Sequence, residues 1–90
     1  MKISILLPYK ENFSYLYPGS ISIFLKDTVT KSKYKKKITI YGHTQFKKKL
    51  LANYVNLNFK KSIFKSSTKS YLDRFIEKEI KNKSDIIEIH

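Results

Sequence analysis

The stretch from Lys2 to Lys33 constrains the fold of this chain most. It opens with the apolar run Ile3-Ser4-Ile5-Leu6-Leu7-Pro8 and passes through Tyr9 to Gly19. It then enters Ser20-Ile21-Ser22-Ile23-Phe24-Leu25-Lys26-Asp27-Thr28-Val29. The first run is short and rich in Ile and Leu, and it ends at Pro8, which lacks a backbone donor and so suits a strand end. Ile21, Phe24, Leu25, Thr28 and Val29 recur at helical spacing, behind Pro18 as breaker, Gly19 as joint and Ser20 as N-cap. Strand, glycine-containing loop and helix in that order begin an open α/β sheet. In such sheets ligands bind at the carboxyl ends of the strands, so the loop Tyr9 to Gly19 is the first place to seek function.

The later chain repeats the theme. Ile38-Thr39-Ile40-Tyr41-Gly42 alternates as a second strand, expected parallel to the first and beside it because a helix separates the two. Residues 43–53 are polar and Lys-rich, with Phe46, Leu50 and Leu51 spaced for a turn or short helix. Tyr54 to Phe59 places Val55, Leu57 and Phe59 on one face and Asn56 and Asn58 on the other, as a half-exposed edge strand would. From Ser66 onward Tyr71, Leu72, Phe75, Ile76 and Ile80 form a helical stripe, with Glu77 to Lys81 and Glu79 to Lys83 four apart in the favourable order. Ile86-Ile87-Glu88-Ile89-His90 reads as an apolar strand of the kind found inside a parallel sheet. The expected fold class is therefore α/β: a mainly parallel, Rossmann-like sheet with flanking helices. Ile3 to Leu7 should lie between Ile38 to Tyr41 and Ile86 to Ile89, and Phe24, Leu25, Phe75 and Ile76 should be core residues. Two helices for three or four strands leave part of one sheet face bare, so residues 1–90 read as one domain cut short at its C-terminal end.

Composition narrows the function classes. Ninety residues make one domain, burying only about 60 to 65% of the unfolded surface. The absence of Cys excludes disulfides and thiolate metal sites, and two His give little material for a metal centre. The apolar run before Pro8 is too short for a signal-peptide core and no stretch suffices for a membrane span, so a cytoplasmic location is expected, the inner face of the membrane included. The net charge is +12, yet Arg74 is the lone Arg among 19 basic residues. Readers of phosphate and base edges draw on the Arg fork, whereas abundant Lys, Ile, Asn, Phe and Tyr together match AT-rich coding. No specific nucleic acid is expected. Loose attraction to anionic surfaces, peripheral association with anionic membrane among them, follows from the charge.

Folding the three apolar strands in parallel gathers Tyr9, Lys10, Glu11 and Asn12, then Gly42 and His43, then Glu88 and His90 on one rim. Period-two alternation puts Ile86, Glu88 and His90 on one face of the last strand. Glu88 within an apolar strand requires a partner, for which Lys10 is suited. The plainer alternative is a solvated strand end with an ordinary histidine.

These residues carry a resemblance. Met1 to Glu11 as strand and loop, Pro18-Gly19-Ser20 before a helix, and Ser84-Asp85-Ile86-Ile87-Glu88-Ile89-His90 as a last strand resemble the N-terminal Rossmann-like half of the group 1, family 4 glycosyltransferases, two-domain enzymes of the GT-B fold. The resemblance implies a hexosyltransferase that moves a sugar from a nucleotide-sugar donor to a glycan or lipid-linked acceptor, without cofactor or obligatory metal. It carries the family's phosphate-approaching glycine pair onto Gly19 and Ser20, although Ser20 departs from glycine, and the family's apolar-x-His strand end onto Glu88-Ile89-His90. The substrate-cleft candidates are thus Lys10, Glu11, Asn12, Gly19, Ser20, Glu88 and His90; none is identified as catalytic. The family's donor-binding C-terminal domain is not in these residues, so the chain alone is expected to be inactive. The alternatives are a small basic nucleic-acid-binding module, using Lys35 to Lys37, Lys47 to Lys49, Lys60 and Lys61 with Tyr34, Phe46 and Phe59, and a protein-interaction α/β domain.

Overall fold

A computed structural model of the chain describes residues 1–61 and 63–90. Strand β1 (Ile3–Leu6) leads through a long loop to helix α1 (Ser20–Lys31), and a short 3-10 turn at Lys35–Lys37 enters β2 (Ile38–Gly42). A short β3 (Tyr54–Asn56), helix α2 (Ser67–Lys81) and β4 (Ile86–Ile89) follow. The sheet order is β3-β2-β1-β4, with every neighbouring pair parallel. The fold is thus the expected Rossmann-like α/β sheet. β1 lies between β2 and β4, with Ile5 opposite Ile40 on one side and Glu88 on the other.

Alternation along β1 builds two cores. Ile5 and Leu7 join Leu25 and Val29 of α1, Phe13, Ile38, Ile40 and Leu50 on one face. On the other, Leu6 meets Tyr41, Leu57, Tyr71 and Phe75. α2 is fastened to the end of β1 by the buried Tyr71 hydroxyl, which donates to the Leu7 carbonyl at 2.6 Å. Ser66 caps α2, its hydroxyl accepting from the Lys69 N–H at 3.1 Å. Leu57 continues the β3 run beyond its ladder, its N–H donating to the Gly42 carbonyl at 2.7 Å, and packs with Val55 and Phe59 on the expected common face.

Several expectations are corrected. Phe24 and Ile76 are not core residues but are 61% and 52% exposed. Each helix is rotated about its axis relative to its apolar stripe: α1 buries Ser22, Leu25 and Val29, and α2 buries Ser70, Tyr71, Phe75 and Glu79. Ser22 and Ser70 take places on the covered faces, and the bulkier Phe24 and Ile76 turn outward. β4 is an edge strand exposing all four residues, so its apolar character does not mark a sheet interior. Residues 43–53 form no helix; the segment runs extended enough for Lys49 to bridge antiparallel to Ser14. Neither expected glutamate–lysine pair forms. Glu77 binds Arg74 at 2.9 Å, while Glu79 accepts from the Ser84 N–H at 3.2 Å and its hydroxyl at 2.7 Å.

Candidate functional site

The parallel arrangement brings the loops after β1, β2 and β3 to one rim. Between the first two lies a cleft of about 310 Å3, lined by Tyr9, Lys10, Asn12, His43, Thr44, Gln45 and Phe46. Its floor is aromatic. Tyr9 stacks on His43 with ring centroids 5.6 Å apart, and both rings meet Phe59, at 5.9 and 5.2 Å. Tyr71 supports Tyr9 from the α2 side at 5.3 Å. His43 Nδ1 lies 2.8 Å from the Leu57 carbonyl oxygen. A carbonyl only accepts, so Nδ1 bears the proton, and in the neutral ring Nε2 keeps its lone pair for another partner.

Lys10 holds a left-handed conformation, φ 69°. The Glu11 N–H donates to the Pro8 carbonyl at 3.0 Å, which makes Lys10 the third residue of a tight turn, a position that usually calls for glycine. A lysine there stores strain of roughly 1 kcal/mol. Its ammonium stands 5.6 Å from the centre of the Tyr9 ring, at the mouth of the cleft.

Asn12 is fully used. Its amide donates to the carbonyls of Leu16 at 2.6 Å and Tyr17 at 2.8 Å, and its oxygen accepts from Ser14 and Thr44 hydroxyls, both at 2.8 Å. It ties the β1 loop to the β2 loop and positions the cleft wall. Asn56 steadies the other side, its oxygen accepting from the Thr44 N–H at 2.9 Å and the Tyr54 hydroxyl at 2.8 Å. Burial raises the Tyr54 phenol well above its ordinary value and lowers the Lys49 ammonium.

Glu11, Gly19 and Ser20 lie together elsewhere, at the start of α1. Glu11 turns inward, one carboxylate oxygen accepting from the Ser22 N–H at 3.0 Å and the Ser22 hydroxyl at 2.6 Å. An anion at a helix N-terminus is favoured by the free N–H groups and the dipole. Here the chain supplies its own. Gly19, at φ −72°, is not needed for a left-handed turn; a Cβ on it would fall 1.9 Å from a Glu11 oxygen. The place the sequence offered to a donor phosphate is filled by the Glu11 carboxylate.

Glu88 and His90 form a third group. They pair with each other at 2.8 Å rather than with Lys10, and they line a groove with Phe24, Thr28 and Ile86 on the α1 side of the sheet. The seven candidates are therefore divided among three places, and only Lys10 and Asn12 border the cleft. Thr44 and Gln45 had no sequence signal, since their segment resembled a turn or helix, and Phe46 was marked only by helical spacing and as a stacking residue of the nucleic-acid alternative.

The chain matches no family model, no curated protein and no solved structure. Among the described residues no helix is long and apolar enough to cross a membrane, and no group of three or more His, Asp or Glu could hold a metal ion.

Proposed function

We propose that this chain is the acceptor-side, N-terminal part of a nucleotide-sugar-dependent glycosyltransferase of the hexosyltransferase type. The observation that carries the reading is the aromatic cleft at the carboxyl ends of β1 and β2, with His43 anchored through Nδ1. Aromatic rings offer the flat apolar faces on which the C–H surface of a hexose packs, and Gln45 and Thr44 offer hydrogen-bonding groups beside them. In this reading His43 Nε2 accepts the proton of an acceptor hydroxyl as that hydroxyl attacks the donor sugar. Lys10 offers a cation to the departing nucleotide phosphates. No cofactor enters this chemistry; the nucleotide-sugar is a substrate, held by a further domain, so these residues alone bind without transferring. The working compartment in this reading is the cytoplasm.

Amide-resolved NMR titration of the chain with nitrophenyl hexosides tests it. Expected are shifts centred on Tyr9, His43 and Gln45 that disappear in His43→Ala. Shifts confined to the start of α1, or none with any hexoside, would overturn the acceptor assignment.

A further inference from the structure

The loops of the carboxyl rim carry more than the cleft. Tyr15, Leu16 and Tyr17 project from the β1 loop, 62, 52 and 80% exposed. Ile63 and Phe64, in the loop between β3 and α2, are 93 and 90% exposed. β3 ends and α2 begins at the same rim where β1 ends and α1 begins, because all four strands are parallel. Both apolar tips therefore occupy one end of the molecule.

The Tyr15 to Tyr17 tip is rigidly built. The Tyr15 N–H donates to the Lys48 carbonyl at 3.2 Å, and the Ser14–Lys49 bridge joins the two loops into a short ribbon. Two of the tip's carbonyls are provided for from within: the Asn12 amide donates to Leu16 and Tyr17, and the Leu16 oxygen also lies 2.9 Å from the buried Ser14 hydroxyl, whose one proton is shared between it and the Asn12 oxygen. With the Leu16 and Tyr17 carbonyls and the Tyr15 N–H bonded within the protein, fewer polar groups lose their partners when the apolar tip leaves water. Ordering in advance removes the entropy that a floppy loop would lose on binding. Lys47 and Lys48 flank the tip, lining with Tyr15 and Leu16 a groove of about 410 Å3. Lys60, Lys61 and Lys65 flank the second tip. Residues 7–19, 43–53 and 57–66 together contain seven lysines and one acid, Glu11, which is engaged at α1; of the seven, Lys65 is paired with Asp73 of α2 at 2.8 Å, which leaves six to meet an anionic surface.

We propose that this rim docks on an anionic lipid bilayer, with Tyr15, Leu16, Tyr17, Ile63 and Phe64 entering the boundary between headgroups and acyl chains and the lysines meeting lipid phosphates. Tyr, Leu and Phe tips ringed by Lys have the composition of interfacial anchors. Aliphatic Leu16 and Ile63 distinguish the surface from a single-strand nucleic-acid platform, which relies on aromatic stacking. The cleft of Tyr9 and His43 opens between the same loops, so it would face the membrane. A lipid-linked acceptor is then the class it takes; that last step rests on the glycosyltransferase reading, whereas docking itself does not.

Vesicle sedimentation of the full chain decides it, with no sugar or nucleotide present. Vesicles of phosphatidylcholine with phosphatidylglycerol should bind it, and pure phosphatidylcholine should bind it at least about tenfold more weakly. Leu16→Ser with Tyr17→Ser should weaken partition about tenfold with an unchanged circular-dichroism spectrum, and Ile63→Ser with Phe64→Ser should do likewise. Lys47→Glu with Lys48→Glu should do the same. Lys35→Glu with Lys36→Glu, equal in charge change but on the opposite rim, should cost under about threefold. The proposal is overturned if both serine pairs bind as the parent does, or if the two glutamate pairs are equivalent. It is also overturned if a single-stranded oligonucleotide, and not the vesicle, is the ligand that Lys47→Glu with Lys48→Glu abolishes. Failure of hexoside binding in the NMR titration would leave these vesicle outcomes untouched.

Discussion

Gly19→Ala tests how the start of α1 is held. The backbone there, at φ −72° and ψ 160°, accepts any residue, so no strain arises from the torsions. The added Cβ would fall 1.9, 2.5 and 2.7 Å from the Oε2, Cδ and Oε1 atoms of Glu11. Since that carboxylate is the end of a flexible side chain, it moves, and the loss is its two bonds to Ser22 and its charge at the helix start. Loss of a side-chain cap costs about 1 kcal/mol and the dipole contact about 0.3 to 1 kcal/mol, so Gly19→Ala should destabilise by roughly 1 to 2 kcal/mol. In a chain of this size that is about 4 to 16 °C in Tm. In a Glu11→Ala background nothing remains to displace. Gly→Ala then reduces the entropy of the unfolded chain, but Ala is disfavoured against Gly at an N-cap, so the two effects offset and stability should change by under about 0.5 kcal/mol. Urea melts followed at 222 nm on the two single variants and the double variant measure how much of the cost passes through Glu11. Equal destabilisation in both backgrounds would show that Gly19 acts without Glu11 and refute the capping account.

Lys10→Gly should relieve the left-handed turn and raise stability by about 1 kcal/mol in the same melts, while weakening any anionic ligand of the cleft; a loss of stability would remove the strain argument. Phe75→Ala should cost roughly 3 to 5 kcal/mol, and Phe24→Ala under about 0.5 kcal/mol, because one ring is buried and the other exposed; comparable costs would contradict the rotated faces of the helices. Burial raises the phenols of Tyr54, Tyr71 and Tyr41, the last also through the nearby Glu79 carboxylate. A raised folded value means that stability is complete below the ordinary tyrosine value near 10 and is lost as pH rises through the folded values. Absorbance at 295 nm should show phenols that ionise only with unfolding, and smooth titration of every tyrosine near pH 10 would contradict this.

The sheet was legible in the sequence because its signals are local. The Ile-rich runs, the helical spacings and the break at Pro8 specify β1, β2, α1 and α2, and their order places β1 at the centre. The buried faces of the helices were legible in part: Leu25 and Phe75 are buried as expected and Phe24 and Ile76 are not, because hydrophobic spacing names the stripe without fixing which side of it turns to the sheet, where Ser22 and Ser70 are also buried. Ile86 to Ile89 has the composition of an interior strand, and only the strand order makes it an edge. The site was less legible still. Glu11 reaches a helix residue eleven positions away, Lys10 adopts a torsion that its residue type does not favour, and Asn12 binds Thr44 across thirty-two positions. Such pairings follow from tertiary placement, which no periodicity reports.

The outer edge of β4 bears on how this chain behaves in solution. Among the described residues it pairs with β1 alone, leaving a row of backbone groups beside Ile86, Ile87 and Ile89, which are 47, 46 and 67% exposed. Such an edge is a template for strand addition between copies. The opposing force is the net charge of +12, which keeps molecules apart over a distance set by the ionic atmosphere, about 30 Å at 0.01 M salt and 3 Å at 1 M. Colloidal stability in this protein is therefore electrostatic, and added salt should draw edges together at concentrations where dilute buffer keeps them dispersed.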